Sequence, residues 1–588
     1  MKKLMTGNEA LALGAWEAGC HLATGYPGTP STEILENLSA YKEVHSQWAP
    51  NEKVALEVAA GGSAAGGRVI CTMKVVGLNV AMDPLMTFAY MGVRGGLVVI
   101  VADDPGCSSS QTEQDNRLIA PLAKIPLIEP SDSQECKDFL KAAFEVSEKF
   151  DVPVLFRVTT RVCHSKSLVE VGRRREAPIR PYEKTGKYCS GPALSRVNHQ
   201  RLEDMLPKLE EYSESSPLNR VEWGDKSVGV IASGISYQHA REVFGEKASY
   251  LKLGLTHRAP SRLIRDFARE VQKLYVIEEN DPYLENTVKL LGVDCVGKAR
   301  LPLVCDLSPE IIRAALLGEK PAPPYRIEAS PPPRPPVLCA GCPHRSAFYA
   351  VSRLKNVVAA NDIGCYTLGM APPLNVTDTI VCMGAGISAG LGLERVLRLS
   401  GQNDKKVFGF IGDSTFFHSG ITALIDAVWN KSNLAVCILD NRTTAMTGHQ
   451  QHPGTGRTLR GEESVALDIE AIVKAVGVPP EQVRLVDAYD LAAVRGAVKE
   501  AADSEGVFVI ISRAPCALIK EAQKQRAGMS CRIDPEKCQK CQSCLRIGCP
   551  AVVRRGETVS IDAQSCNGCG LCFQVCKFDA IGKEGGPK

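Results

Sequence analysis

The chain has 588 residues, of which 44% are hydrophobic and 23% charged, and its formal net charge is +3. This length accommodates three or four domains, and the small net charge excludes an acidic tail or a broadly basic nucleic-acid surface. No apolar run reaches the roughly 18 residues that a membrane span needs, and the polar first residues do not match a signal peptide. We therefore expect a cytoplasmic protein that binds neither nucleic acid nor membrane.

Cysteine is the unusual component of this composition. There are 23 cysteines, and nine of them lie from Cys531 onward at regular spacings. In a chain without a secretion signal, clustered cysteines indicate metal binding rather than disulfides.

The first region, residues 1–190, alternates predicted strands and helices. Apolar runs at 69–73, 97–101 and 154–158 are typical of buried parallel strands, with helical segments between them. This βαβ pattern predicts a parallel sheet with helices on both faces.

Two features of the first region are candidates for function. Glu57 lies among apolar and small residues on a predicted helix, which suggests a buried carboxylate, although a solvated helix charge explains it equally well. The polar segment 108–117 follows a strand, and a surface loop is a better interpretation there than a substrate contact.

Three predicted segments connect the first region to the next. Residues 191–225 form a charged connector that we expect to be irregular, and residues 226–320 return to strand–helix alternation as a small α/β domain. Residues 321–336 contain eight prolines and are expected to form a stiff, extended linker.

A second large α/β domain is predicted at residues 337–525. Its apolar runs at 407–411 and 434–439 are expected to be neighbouring parallel strands joined by a crossover helix at 419–431. Asp413 and Asn441 then lie just beyond the carboxyl ends of these strands, where open α/β sheets bind ligands. A carboxylate and an amide oxygen there are suited to a hard divalent cation, and the cation to a diphosphate.

Residues 526–588 form a cysteine-rich tail. Its two runs resemble the doubled motif of bacterial two-cluster ferredoxins, in which the fourth cysteine of each run ligates the other cluster. One cluster is then assigned Cys538, Cys541, Cys544 and Cys576, and the other Cys566, Cys569, Cys572 and Cys549. The first run departs from the motif by having four residues before Cys549, and the second by having Lys577 where proline is usual. Tetrahedral zinc is the weaker alternative, and the tail indicates one-electron transfer.

Taken together, the motifs resemble the alpha-subunit family of indolepyruvate:ferredoxin oxidoreductases, which are thiamine-diphosphate-dependent 2-oxoacid:ferredoxin oxidoreductases. The resemblance extends over the whole chain and rests on six segments in order: 26–30, 51–60, 338–345, 412–420, 439–448 and the tail. The usual thiamine signature begins Gly-Asp-Gly and ends Asn-Asn. Here Gly412 and Asp413 are followed by Ser414, and Asp440 precedes Asn441.

The resemblance implies a fold, a cofactor set and residue roles. It implies two thiamine-binding parallel-sheet domains, at 1–190 for the pyrimidine and 337–525 for the diphosphate, with the small domain and a ferredoxin-like tail holding two [4Fe-4S] clusters. Asp413, Asn441 and the Thr443 carbonyl would bind Mg²⁺, with Gly412 and Ser414 beside the cofactor. Glu57 would hydrogen-bond the aminopyrimidine and activate thiamine diphosphate.

The resemblance also implies a reaction and its partners. A 2-oxoacid of the arylpyruvate class would lose CO₂, coenzyme A would take the acyl group, and electrons would pass through the clusters to ferredoxin. A smaller beta subunit and an alpha–alpha dimer with sites at the interface are expected.

Several alternatives stay open at this point. Cys339, Cys342 and Cys365, with Cys516, would either hold a third cluster or serve as structural or cofactor-lining cysteines. Another 2-oxoacid specificity, a non-oxidative thiamine decarboxylase and a pure electron-transfer protein are the competing functions. Phe416, Phe417 and Tyr366 would either line an aromatic pocket or belong to the core. One or two of the histidines at 344, 418, 449 and 452 would position substrate or diphosphate, although a structural role explains each of them equally well.

Overall fold

The computed structural model describes residues 1–184, 186–189, 191–319, 329–330, 332 and 334–585. The chain forms two compact units, Met1–Glu328 and Ala329–Lys588. Most of the predicted proline-rich linker lies outside the described residues. Within the described part of the chain, no helix combines the length and the apolar character that crossing a membrane requires.

The first unit begins with a βα series. Its elements are β1 Lys2–Thr6, α1 Gly7–Glu17, β2 Leu22–Gly25, α2 Thr32–Leu38, β3 His45–Trp48, α3 Glu52–Ala64, β4 Val69–Lys74, α4 Gly77–Val80, α5 Met82–Met91, β5 Leu97–Asp103, α6 Ile119–Ala123, β6 Leu127–Ile128, α7 Ser133–Phe150, β7 Val154–Thr159, α8 Thr160–His164 and β8 Lys166–Glu170. The strands predicted at 69–73, 97–101 and 154–158 are confirmed as β4, β5 and β7.

The rest of the first unit adds a long helix and a small α/β region. Its elements are α9 Pro192–Glu214, β9 Arg220–Glu222, β10 Val228–Ser233, α10 Gly234–Phe244, β11 Ser249–Leu253, β12 Leu255–His257, α11 Ser261–Arg269, β13 Lys273–Ile277, α12 Tyr283–Leu290, α13 Pro309–Ile312 and a π-helical turn Arg313–Leu317.

Two main sheets organise this unit. The larger has seven strands in the order β12-β6-β7-β5-β4-β2-β3, parallel except for the edge strand β12. The smaller has four strands in the order β13-β10-β11-β9, of which β9 is antiparallel. Because β12 comes from the small α/β region, that region is joined to the first sheet by strand pairing.

The expectation of an irregular connector at 191–225 was wrong. Residues Pro192–Glu214 form a helix of 23 residues, α9. Its buried residues Leu202, Met205, Leu206 and Leu209 repeat at helical spacing, so one apolar stripe packs inward. The high charge of the segment, which suggested a loop, belongs to the outer face of this helix.

The second unit contains another parallel sheet and the cysteine tail. Its elements are α14 Arg345–Val351, β14 Val357–Asn361, β15 Thr379–Ile380, α15 Ala385–Leu399, β16 Lys406–Gly412, α16 Asp413–Thr415, α17 Ile421–Trp429, β17 Leu434–Asp440, α18 Ile469–Ala475, β18 Val483–Asp487, α19 Leu491–Asp503, β19 Phe508–Arg513, α20 Lys520–Gln525, β20 Ser530–Ile533, β21 Val552–Arg555, β22 Thr558–Ile561, α21 Leu571–Gln574 and β23 Ile581–Glu584.

All six strands of the second large sheet are parallel, in the order β15-β14-β16-β17-β19-β18. Every residue of β16 and β17 is buried, as a sheet covered by helices on both faces requires. The crossover helix starts earlier than predicted, because α16 leads through a π-helical turn, Phe416–Gly420, directly into α17. The helix therefore begins at Asp413, immediately after the strand.

Candidate active site

The carboxyl ends of β16 and β17 bring Asp413 and Asn441 together. Gly412 pairs with Leu439 in the parallel register, so Asp413 and Asn441 both lie about one residue beyond the sheet. Asp413 is 2% exposed and Asn441 6% exposed. The predicted position of both side chains at one sheet edge is confirmed.

Backbone groups hold the Asp413 carboxylate from two sides. Ser414 N–H donates to its Oδ1 at 2.9 Å, and Arg442 N–H donates to its Oδ2 at 2.7 Å. Burial favours the neutral acid, but His452 and the hydrogen bond from Ser414 N–H keep the pKa of Asp413 below its ordinary value. Asp413 is therefore an anion at neutral pH, and its Oδ1, which accepts one hydrogen bond, keeps a lone pair for a cation.

His452 orients toward Asp413 through a defined tautomer. Gly454 N–H donates to His452 Nδ1 at 3.1 Å, so the ring proton is on Nε2, which faces Asp413 Oδ2 at 3.0 Å. Phe417 lies beside the imidazole, with ring centroids 5.7 Å apart. Sequence analysis did not predict this contact, because 39 residues separate the histidine from Asp413.

Asn441 contributes its carbonyl oxygen to the same edge. Its Nδ2 donates to His344 Nε2 at 3.2 Å, while its Oδ1 accepts from Thr443 N–H at 3.2 Å. Burial lowers the pKa of His344 to about 4, so this imidazole is neutral and its Nε2 can accept. Ser414 Oγ accepts from Thr444 Oγ1 at 2.8 Å, which ties the two strand ends together.

The donor set at this edge fits a hard divalent cation. A buried carboxylate, an amide carbonyl oxygen and the nearby backbone carbonyl of Thr443 are all oxygen ligands. The helix that begins at Asp413 directs its N-terminal end to the same edge, which favours a bound phosphate. Of the two interpretations left open for Phe416, Phe417 and Tyr366, the structure supports the core, because all three belong to buried hydrophobic clusters.

Asp362 is a further buried carboxyl group near this edge that sequence analysis missed. It follows β14, and the backbone N–H groups of Gly384 and Gly386 donate to it at 3.0 and 3.1 Å. Burial raises the pKa of Asp362 to about 7, although these hydrogen bonds oppose the shift. Gly384 has a φ of 89°, and an added Cβ there would lie 1.9 Å from Ser419 Oγ, so glycine is required at that turn.

Glu57 lies on α3 in the first unit. Its side chain is 47% exposed and forms an i,i+4 ion pair with Lys53. The interpretation as a buried carboxylate is therefore wrong for the isolated chain, because Ala55 and Leu56 occupy the buried face of the helix instead. The loop at 108–117 is exposed through its first half, whereas Asp115, Asn116 and Arg117 are buried.

The tail cysteines gather around two cavities. One cavity is lined by four of them, Cys538, Cys541, Cys544 and Cys576. The other is lined by Cys549, Cys566, Cys569 and Cys572, and also by Cys531. The structure thus brings together the two sets that the doubled spacing predicts, each with three cysteines from one run and one from the other.

The extra residue of the first run has a local explanation. A 3₁₀ helix, Ser543–Ile547, ends at Gly548, whose φ of 70° turns the chain toward Cys549. Cys531, outside the motif, is buried, and its N–H donates to Cys566 Sγ at 3.3 Å. No group of three or more His, Cys, Asp or Glu side chains in the described residues converges on a single metal ion. Thiolates around a four-iron cluster bind different iron atoms and do not converge in this way.

The tail packs on the second sheet through specific contacts. The Arg345 guanidinium is fully buried and donates to the carbonyl groups of Ile547 and Gly548 in the tail. It also donates to Leu338 O and Cys339 O, at 2.7 and 2.9 Å. The cavity lined by Cys549, Cys566, Cys569 and Cys572 is also lined by Ala340 and Gly341, so the 338–345 segment lies between the sheet and the tail.

Four further cysteines share one neighbourhood in the second unit. The pKa values of Cys342, Cys365 and Cys516 are raised by burial first, and in each case the Cys339 thiol contributes to the increase. Cys516 N–H donates to Asn441 O at 2.9 Å, so the group adjoins the Asp413–Asn441 edge. His449 Nε2 lies 3.6 Å from Cys516 Sγ.

This combination of two parallel α/β sheets, an oxygen donor set at a sheet edge and an attached cysteine tail defines a thiamine-dependent redox enzyme. Matches to known families agree with it: residues 13–203 match the thiamine-diphosphate-binding domain of pyruvate flavodoxin/ferredoxin oxidoreductases, residues 362–512 the C-terminal domain of thiamine pyrophosphate enzymes, and residues 558–581 a 4Fe-4S binding domain. The chain belongs to the family of the indolepyruvate oxidoreductase subunit IorA. It is an oxidoreductase that uses thiamine diphosphate and iron–sulfur clusters to oxidise 2-oxoacids.

Full-length relatives establish the family. The chain is 41% identical to the indolepyruvate oxidoreductase subunit IorA of Archaeoglobus fulgidus, over 99% of this chain and 97% of that one. It is 42% identical to the same subunit of Methanothermobacter thermautotrophicus, over 99% and 98% of the two chains. Among solved structures, the 2-oxoglutarate:ferredoxin oxidoreductase from Magnetococcus marinus matches 53% of this chain and 64% of that chain, with 18% identity and a TM-score of 0.45.

Proposed function

We propose that the chain is the catalytic alpha subunit of an enzyme that oxidatively decarboxylates arylpyruvates of the indolepyruvate class. Coenzyme A accepts the acyl group, and ferredoxin accepts two electrons, one at a time. The names of the full-length relatives support the substrate class, since they are indolepyruvate oxidoreductase subunits. Bound thiamine diphosphate supplies the carbanion chemistry that cleaves the bond between the 2-oxo carbon and the carboxylate.

In this proposal Asp413, Asn441 and the Thr443 carbonyl bind Mg²⁺, which in turn holds the diphosphate. The depressed pKa of Asp413 and the oxygen-only donor set support the assignment. Gly412 and Ser414 flank the diphosphate at the start of the helix, where backbone N–H groups favour an anion. His452 keeps its proton directed at Asp413 and so positions the carboxylate for the cation.

Glu57 holds the proton at N1′ of the aminopyrimidine, which activates the cofactor. Its exposure in the isolated chain supports a site that is completed by a second surface, because a carboxylate acting on a cofactor must be shielded from water. We therefore propose an alpha–alpha dimer with the sites at its interface.

The eight tail cysteines hold two [4Fe-4S] clusters in the sets given above, and their cavities support this assignment. Cys339, Cys342, Cys365 and Cys516 hold a third cluster between the thiamine site and the tail. The shared neighbourhood of these four cysteines beside Asn441 supports the third cluster. Electrons would then pass from the cofactor to this cluster and on to the two clusters of the tail.

The partners of the chain follow from the same proposal. The relatives are subunits, which supports a smaller beta subunit in a hetero-oligomer, with ferredoxin as the electron acceptor. Ferredoxins and coenzyme A are intracellular pools, so we propose a cytoplasmic location.

The observation that carries the proposal is the Asp413–Asn441 edge lying in the same unit as the two cysteine cavities. The test is anaerobic reduction of methyl viologen by the complex of alpha and beta subunits, with a panel of 2-oxoacids and coenzyme A. Indolepyruvate should give the highest kcat/KM, and omission of coenzyme A should stop turnover after the first cycle.

Other results of this panel point to the alternatives. A higher kcat/KM for pyruvate, 2-oxoglutarate or 2-oxoisovalerate would reassign the substrate class. Release of CO₂ and aldehyde without viologen reduction would indicate a non-oxidative decarboxylase, and reduction by none of the acids would overturn the proposal.

A further inference from the structure

Two exposed cysteines lie on adjacent loops of the first unit. Cys107 lies in the loop that follows β5, and Cys305 lies in the segment between α12 and α13. Both thiols are accessible, unlike the fully buried Cys20, Cys71 and Cys136 of the same unit. Neither cysteine belongs to the thiamine site or to the cluster motifs.

One carboxylate holds the two loops together. Glu113 Oε1 accepts from Gly106 N–H at 2.9 Å and from Cys305 N–H at 2.9 Å. A third donor, Asn280 Nδ2, reaches the same oxygen at 3.1 Å. The backbone beside Cys107 and the backbone of Cys305 are therefore fixed around a single atom.

The spacing of the loops is that of direct contact. A Cβ placed on Gly106 would lie 3.8 Å from the Cα of Cys305. Disulfides join residues whose Cα atoms are roughly 4.4–6.8 Å apart, and Cys107 is the next residue along the chain. Both cysteines have left-handed backbone, with φ of 52° for Cys107 and 67° for Cys305.

The electrostatic environment also couples the two thiols. Burial, the carboxylates of Glu113 and Asp104, and the Cys305 thiol raise the pKa of Cys107, while Lys74 lowers it. The influence of the Cys305 thiol on Cys107 agrees with the short separation of the two loops.

We infer that Cys107 and Cys305 form a reversible disulfide, which makes this pair a redox-modification site. A small-molecule disulfide is the oxidant: one cysteine thiolate attacks it, forms a mixed disulfide and releases one small thiol. The second cysteine thiolate then attacks the mixed disulfide and releases the other small thiol. Two cysteine thiols are oxidised, and one small disulfide is reduced to two thiols.

The disulfide would join two loops at the rim of a cavity of about 370 Å³ in the same unit. Pro105 and Ser108, on either side of Gly106 and Cys107, line this cavity, and Asp306, next to Cys305, lines it as well. A bond between the two cysteines therefore ties together the loops that form its rim. It also anchors the start of the 108–117 loop.

The test is oxidation of the anaerobically purified holoenzyme with glutathione disulfide, followed by acid quenching, alkylation, digestion and mass spectrometry. The expected product is a peptide pair that joins Cys107 to Cys305, two hydrogens lighter than the sum of the reduced peptides. Dithiothreitol should abolish the pair, and two glutathione thiols should be released for each bridge.

Matched variants separate the bridge from simple surface reaction. In Cys107→Ser, Cys305 should stop at the mixed disulfide with glutathione, and in Cys305→Ser, Cys107 should do the same. Cys189 and Cys382, which are also exposed, serve as internal controls that should not bridge to either cysteine. Wild-type protein with glutathione on both cysteines, or with both thiols alkylated, would overturn the inference, whatever substrate the enzyme uses.

Discussion

The two parallel sheets use buried charge in opposite ways at their carboxyl edges. In the first unit, Arg117 is 1% exposed and pairs with Asp115 at 2.5 Å and Glu278 at 2.7 Å. Arg157 similarly pairs with Asp103 at 2.6 Å and with Glu129 at 2.8 Å. Each of these four buried carboxylates meets a guanidinium of the same chain.

In the second unit, the buried Asp413 is held by backbone N–H groups and by an imidazole. Its neighbour Asp440 pairs with the Arg513 guanidinium at 2.6 Å, whereas the side-chain partner of Asp413 is the His452 imidazole. Breaking a buried ion network leaves a charge unpaired and destabilises the fold, whereas a carboxylate without a guanidinium partner can bind a cation. We therefore assign a structural role to the first edge and a cofactor role to the second.

The strongest test of this contrast is Asp413→Asn. It keeps the shape and removes the charge, so thiamine diphosphate should no longer bind with Mg²⁺, and turnover should fall to background. Even changes to outer-shell partners of metals cost roughly 10–100-fold, and a ligand should cost more. Calorimetry measures the binding of thiamine diphosphate with Mg²⁺, and viologen reduction measures turnover.

Asp404→Asn is the matched control for that variant, since Asp404 is an exposed carboxylate of the same unit that bonds Asn356. It should leave affinity and turnover unchanged. Wild-type Mg²⁺ affinity in Asp413→Asn would remove the cofactor role from this edge.

Glu57→Gln tests the one proposed catalytic residue that lies in the first unit. Turnover should fall by about 10²–10⁴-fold, the usual contribution of a general acid–base group, while the iron–sulfur EPR signals stay unchanged. Lys53→Gln removes the ion-pair partner of Glu57 without touching the carboxylate. If both variants lose activity equally, the ion pair and not a cofactor contact explains the result.

Arg117→Met should show the structural role of the first edge. Removing one member of a buried ion network leaves unpaired buried carboxylates, which costs about 3–5 kcal/mol of unfolding free energy. Turnover per folded chain should fall far less than in Asp413→Asn. Urea denaturation measures the unfolding free energy, and active-site titration gives the amount of folded enzyme to which turnover is referred.

The control for Arg117→Met is Arg269→Met, because Arg269 forms an exposed pair with Asp266 at 3.0 Å. Exposed pairs contribute roughly 0–1 kcal/mol, so this variant should unfold almost like wild type. Equal losses in the two variants would show that the buried network adds nothing.

Sequence analysis predicted the second edge better than the first, for physical reasons. Two fully apolar runs can form buried neighbouring strands in few ways, so the positions of Asp413 and Asn441 follow from the runs alone. The grouping of the tail cysteines also follows from local spacing. Arg117 and Glu278, by contrast, are 161 residues apart, and no local pattern connects them.

The contacts that sequence analysis missed are also long-range or masked by composition. The tautomer of His452 depends on a glycine N–H, and the neutral state of His344 depends on its burial. The long helix α9 was hidden because its charged outer face outweighed a narrow apolar stripe. The exposure of Glu57 depends on which face of α3 packs inward. Small residues flank Glu57 on both sides, so the sequence does not show which face that is.

Asp362→Asn should change stability by an amount that depends on pH. Burial raises the folded-state pKa of Asp362 to about 7, from 3.8, so folding favours the protonated acid. The stability that this preference provides is complete below about pH 4 and is lost as the pH rises through 7. The wild type should therefore lose stability relative to the Asn variant across this window, by at most about 1.4 kcal/mol per pH unit. The measurement is the unfolding free energy of the wild type and of Asp362→Asn from pH 4.5 to 8. The control is Asp426→Asn, at an exposed position, whose difference from the wild type in unfolding free energy should not change with pH. A difference that instead favours the wild type more at higher pH would show that the ionised carboxylate, held by Gly384 and Gly386, is the stabilising form.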